Sequence, residues 1–175
     1  MNLEDLWEYR GQRRPDFAET PGFGQESVWD YPRPPRIAVD RRRVEVKSAG
    51  VLIASTSAAL RVLETASPPT FYIPRVAIDL SKLVRVPGQS MCEWKGIAGY
   101  WALAGDALQR AVGWSYEQPL ARFSAIAGAL SFYPGLLECR IEGERVRPQP
   151  GGFYGGWLTS DLAGPVKGEP GTGHW

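Results

Sequence analysis

The stretch QSMCEWKGIAGYWALAGD, residues 89–106, decides the fold class of this chain. Its opening residues and the run IAGYWALA both read as strands, since each is short, apolar and aromatic and each is bounded by turn residues. Lys95-Gly96 forms the bend between them, and Gly105-Asp106 closes the second strand with a turn. Neighbouring residues on a strand point to opposite faces, so at most one of Tyr100 and Trp101 can face a common interior.

Working outward, the same punctuation recurs. VEVK (44–47) alternates, SAG turns and VLIAS (51–55) resumes, which together read as a hairpin. ALRVLET (59–65) fits a short helix or a strand, and PPTFYIP (68–74) reads as an extended, proline-bounded strand. Residues 119–135 predict the best helix: Pro119 suits a first turn, Leu120, Phe123, Ala127 and Leu130 fall on one face, and Pro134-Gly135 stops it. LLECRIEGERVRP (136–148) reads as a hairpin turning at Glu142-Gly143. Many short strands and one late helix predict a compact β architecture, either two facing sheets or an open barrel. The 20 Gly, 15 Pro, 7 Trp and 7 Tyr suit strands joined by many turns, with large rings filling the space between sheets.

The 175 residues suffice for one domain with extensions. The expected organisation is an arm over 1–36 rich in breakers and packed on the core, a single core domain over 37–147, and a Gly/Pro-rich tail over 148–175. Within the arm, ESVWDYPRPPR (26–36) favours extended, polyproline-like backbone, with Trp29 and Tyr31 as its anchors. With 20 Lys and Arg against 19 Asp and Glu, no overall field recruits nucleic acid or an anionic membrane. No run approaches the ~18 apolar residues of a membrane span, and the first residues lack the apolar core of a signal peptide. The expectation is a cytoplasmic chain with its two cysteines reduced.

Several chemistries lack their residues. Structural zinc wants four Cys or His ligands, and the chain has two isolated cysteines and one histidine, His174. Cys92 as a nucleophile needs a base, and His174 is the only histidine to supply one; Lys95 could lower the thiol pKa only if the bend at Gly96 brings the two together. GEPGTGHW (168–175) places His174 where a phosphate loop has its lysine, and GGFYGGW (151–157) fits no phosphate pattern. Arg41, Arg42 and Arg43, with Arg33 and Arg36, make a basic run that could hold an anion or form a solvated strand end. What remains is an aromatic constellation of Trp94, Tyr100, Trp101, Trp114 and Tyr116. Lys95 lies amid it with Arg61 and Glu64 upstream, and charged groups beside apolar walls are what a small-ligand site presents.

The stretches VLIASTSAALRVLET, PPTFYIP, MCEWKGIAGYW, GWSYEQP and AIAGALSFYPG, within about residues 43–142, resemble a bacterial family catalogued as domain of unknown function number 427. That family is sometimes labelled nucleotidyltransferase-like. SVWDYPRPPR and ERVRPQPGGFYGGW resemble the flanks of its longer members. The resemblance implies a mainly β fold of β-tent type (Mss-four-like), a small two-sheet domain with one helix. That architecture is shared with zinc-bearing domains such as methionine sulfoxide reductase B and the ligand-binding domain of cereblon, whose metal cysteines have no counterpart here, so no zinc is expected. By position, the family's recurrent residues fall on Arg61, Glu64, Tyr72, Cys92, Lys95, Gly96, Tyr100, Trp114 and Tyr116. Its usual Cys-Pro-Trp/Tyr-Lys-Gly reads here Cys92-Glu93-Trp94-Lys95-Gly96.

Together these readings predict a small-molecule-binding domain without a cofactor, and an enzyme if the pocket works by Lys/Glu acid-base chemistry. Lys95 would bind an anionic or carbonyl group, or act as a base if burial lowers its pKa; Glu64 would hold it and Tyr116 would donate a hydrogen bond. Arg61, Tyr72, Trp94, Tyr100 and Trp114 complete the expected ligand contacts. The partner is a small molecule, with neither nucleic acid nor membrane. Two alternatives from other classes are a protein-interaction module using the proline-rich ends, and a nucleotidyltransferase, which would need metal-holding carboxylates and a phosphate loop.

Overall fold

A computed structural model describes residues 7–175. Fifteen strands follow in chain order: β1 (Glu26–Ser27), β2 (Arg36–Asp40), β3 (Val44–Ser48), β4 (Val51–Thr56), β5 (Ala59–Leu63), β6 (Thr70–Tyr72), β7 (Leu83–Cys92) and β8 (Gly96–Leu103). They continue with β9 (Ala111–Ser115), β10 (Leu130–Phe132), β11 (Glu138–Ile141), β12 (Glu144–Arg145), β13 (Arg147–Pro148), β14 (Trp157–Leu158) and β15 (Leu162–Ala163). The chain is mainly β, built from several small antiparallel sheets.

The expected hairpins are present, and their turn residues explain them. Ala49 and Gly50 between β3 and β4, and Glu142 and Gly143 between β11 and β12, all take positive φ, which matches the twist of two-residue hairpin turns. These strands form one sheet, ordered β12-β11-β3-β4. Val44, Val46, Cys139 and Ile141 face inward from it, while Glu45, Lys47, Glu138 and Arg140 alternate outward.

A second sheet is ordered β10-β9-β8-β7 and a third β2-β5-β6. ALRVL is therefore a strand, paired on both sides. The second and third sheets are joined where Ile73 and Leu130 exchange both backbone hydrogen bonds, at 2.8 and 3.0 Å. The outcome is one bent surface facing the first sheet, without closure into a barrel. Between them lies an apolar core containing Ile53, Phe71, Ile73, Trp101, Leu130, Phe132, Cys139 and Trp157. β7 is the free edge of its sheet; it carries Pro87 and Gly88 at a register break between Val86 and Gln89, where a missing N–H costs no ladder bond.

The helix after Pro119 is shorter than its apolar spacing suggests. It is a six-residue 3-10 segment, Ala121–Ile126, with Phe123 off helical geometry. Phe123 and Ile126 are buried, but Leu120 is exposed and Leu130 belongs to β10. The pairing of 130–132 with β9 and the bridge to Ile73 offer those residues a ladder, and Gly128 at φ 69 turns the chain into it.

Described segments near both ends of the chain, from Trp7 on and up to Trp175, lie on this frame. β1 pairs parallel with β15. Trp29 is fully buried near Leu63, and its ring contacts Tyr9, Phe17 and Trp175 at centroid distances of 5.4, 5.3 and 5.4 Å. Tyr31 donates to Glu26 at 2.6 Å. Part of the basic run is held in ion pairs: Arg42 meets Asp40 and Asp161, both at 2.7 Å, and Arg43 meets Glu45 at 3.0 Å. Among the described residues, no helix is long and apolar enough to cross a membrane.

Candidate functional site

β7 ends at Cys92 and β8 begins at Gly96, so Glu93, Trp94 and Lys95 make the bend. Gly96 has φ 97, a conformation that glycine supplies without strain; a Cβ there would meet nothing closer than 3.7 Å, so backbone angle rather than space demands the glycine. The Leu120 N–H donates to the Lys95 carbonyl at 3.0 Å and pins the bend against the 3-10 segment. This geometry brings Cys92 and Lys95 to the wall of one cavity.

That cavity has a volume of about 450 Å³. Lys95, Glu64 and Tyr116 all line it, as do Tyr72, Trp94, Tyr100 and Trp114. Arg61 does not: it lies in an ion-pair network with Glu26 at 3.1 Å and Asp40 at 3.3 Å. Tyr100 turns to the cavity and donates to Ser90 at 2.7 Å, whereas Trp101 turns to the apolar core and donates to Ser115 at 2.9 Å. The rings pack on one another, with centroids 6.4 Å apart for Tyr72 and Trp114, 6.3 Å for Tyr72 and Tyr116, and 4.6 Å for Trp114 and Tyr133.

Its electrostatics are set by few charges. Burial opposes the Lys95 charge, but Tyr72, Cys92 and Glu64 outweigh it, and the ammonium's pKa is pushed up to about 12. Among the described residues Lys95 makes no ion pair, and its Nζ lies over the Tyr116 ring at 5.8 Å from the centroid. Glu64 is held instead by Arg33, whose side chain is wholly buried: Nε reaches the carboxylate at 3.2 Å and Nη2 donates to the Thr65 carbonyl at 2.9 Å. Burial raises the pKa values of Tyr72 and Tyr116, so both hydroxyls keep their protons at neutral pH. The Tyr72 oxygen accepts from Trp114 Nε1 at 3.3 Å. Trp94, only 9 % exposed, has an enclosed indole N–H without a partner.

The rim was not legible in the sequence. Trp7, Tyr154, Gly155 and Lys167 line the cavity as well, brought from both chain ends. Arg33 stacks on Trp7 at 4.1 Å, and Lys167 lies 4.7 Å over the same ring. Gly155 crosses Trp114 so closely that a Cβ would stand 2.0 Å from the indole, which is why glycine is needed there. Among the described residues, no group of three or more His, Cys, Asp or Glu could hold a metal ion.

Residues 36–146 match the model of a family described as a domain of unknown function, DUF427. The chain belongs to this family. The DUF427 match contains Tyr72, Trp94, Lys95, Trp114 and Tyr116, while Trp7, Arg33, Tyr154 and Lys167 lie outside it. No curated protein matches the chain.

Proposed function

We propose that this DUF427 chain binds a small molecule in the aromatic cavity, with an anionic or carbonyl oxygen of the ligand against Lys95. The observation that carries this reading is an ammonium that stands in the wall of a ring-lined cavity and makes no ion pair among the described residues. Its surroundings keep it charged at neutral pH, so an anionic or carbonyl oxygen entering the cavity would meet a cation. The surrounding polar groups favour an acceptor too: Tyr72 and Tyr116 line the cavity and keep their protons. The flat rings suit an unsaturated or aromatic body. With its proton affinity raised, Lys95 acts as a fixed cation rather than as a neutral base.

Interaction through the proline-rich ends has less support, because Trp29 and Trp157, one indole from each of those segments, are spent on internal packing. A thermal-shift screen of aromatic carboxylates and carbonyl compounds, run on the wild type and on Lys95→Ala, tests the reading. Ligand at about 100 times its Kd stabilises a protein by about 2.7 kcal/mol, a shift of several degrees. The expected result is a shift in the wild type alone; equal shifts in both would remove Lys95 from the site.

A further inference from the structure

Cys92 stands where no core cysteine would. Met91, Cys92 and Glu93 line both the aromatic cavity and a second cavity of about 480 Å³, so the cysteine lies in the wall between them. It is half-buried, and it is close enough to Lys95 and Tyr116 to act on the proton affinity of each. The second indication of a ligand is independent of the sulfur. The Trp94 N–H, in the same wall, is enclosed without a partner, and a buried donor left unpaired is costly. One wall therefore carries a cysteine and a cation, with an enclosed, unpartnered donor behind them.

We propose that Cys92 is an acyl acceptor, and that the ligand of the cavity is a thioester or similarly activated ester of a small apolar acid. This rests on the binding reading above and deepens it. The Cys92 sulfur attacks the carbonyl carbon and a C–S bond forms, while the carbonyl π electrons move onto oxygen beside the Lys95 ammonium. When the carbonyl re-forms, the bond to the departing sulfur or oxygen breaks. The leaving group carries off the proton that the thiol gave up, so nothing is oxidised or reduced. His174, the only histidine, is exposed and is not part of the cavity wall, so no imidazole assists departure. That restricts the substrate to leaving groups that part readily, which thioesters and aryl esters have and amides lack.

The test uses the full chain with p-nitrophenyl acetate, following nitrophenolate release and mapping the acetyl group by peptide mass spectrometry. Acetylation of Cys92 is expected about tenfold or more faster than that of N-acetylcysteine at the same pH, with Cys139 unlabelled. Cys92→Ser abolishes it, Lys95→Gln drops it to the free-cysteine rate, and Lys95→Arg restores part of it. A wild-type rate no faster than N-acetylcysteine overturns the proposal without recourse to any variant, and so does a Lys95→Gln protein that folds and reacts at the wild-type rate. Benzoate, an aromatic carboxylate whose acyl carbon carries no leaving group that parts readily, separates the two readings. If benzoate raises the melting temperature and Cys92 is not acylated, the acyl proposal falls and the binding reading stands; if benzoate neither stabilises the chain nor slows the labelling of Cys92, both fall.

Discussion

The molecule has two aromatic clusters of similar make-up, each containing one cysteine, and they serve opposite ends. In the core between the sheets, Phe71, Trp101, Phe132 and Trp157 close around Cys139, which is fully buried. Its polar atoms are satisfied internally: Trp157 donates to the Phe132 carbonyl at 3.0 Å and its ring stacks on Phe71 at 5.0 Å. Around the bend, Tyr72, Trp94, Trp114 and Tyr116 gather beside Cys92 but leave a cavity, an unpaired N–H and a lysine that makes no ion pair among the described residues. Ring content does not separate core from site. What separates them is whether the polar atoms among the rings already have partners.

That contrast can be broken at several points. Trp157→Ala empties the dry cluster and should cost about 3–5 kcal/mol in denaturant unfolding. A much smaller loss would mean that the sheets can close over the gap. Cys139→Ser places a hydroxyl among apolar neighbours and should cost about 1–3 kcal/mol, whereas Cys92→Ser, half-exposed, should be near neutral in the same assay. Equal losses at both positions would erase the distinction between the two cysteines. Tyr72→Phe deprives the Trp114 N–H of its acceptor and should cost about 1 kcal/mol or slightly more, readable as a lower melting temperature.

The smallest effect is one of pH. Because the folded chain holds the Lys95 proton more tightly than an ordinary lysine, the stability this contributes is fully present below 10.5 and is lost as pH rises towards about 12. Binding of benzoate should accordingly be flat with respect to Lys95 from about pH 7 to about pH 10. A fall in affinity centred in that interval and absent from Lys95→Arg would show that Lys95 deprotonates there, and would reopen its role as a base.

The hairpins were legible because their signals are local. Alternation in VEVK and the glycines at positions 50, 143 and 96 each act within a few residues, so no distant partner is needed to interpret them. The helix over 119–135 was read too long, since the β9 ladder that claims Leu130 is invisible in a helical-spacing argument. The site divides the same way. Lys95, Trp94 and Tyr100 cluster in one short stretch and were found there. The fates of Arg61 and Glu64 were not, because their partners Glu26 and Arg33 lie 35 and 31 residues away in sequence. Cys92 was set aside for lack of a histidine; only the bend at Gly96 brings the sulfur and Lys95 to one wall, and a bend's shape is not written in its composition.

The parallel pairing of β1 with β15 has a mechanical consequence. Glu26 donates to the Asp161 carbonyl and Glu19 to that of Gly164, both at 2.8 Å, so segments near opposite ends of the chain are laced side by side. A force applied between the two ends would draw these strands past each other along their length, loading the bonds together in shear rather than opening them one at a time. The chain between residues 27 and 162 would be shielded until that lacing gave way, whereas the rim residues Trp7 and Lys167 lie outside it and would be exposed to the load first. The same contact that borrows rim residues from both extremities thus also acts as the molecule's tensile clamp.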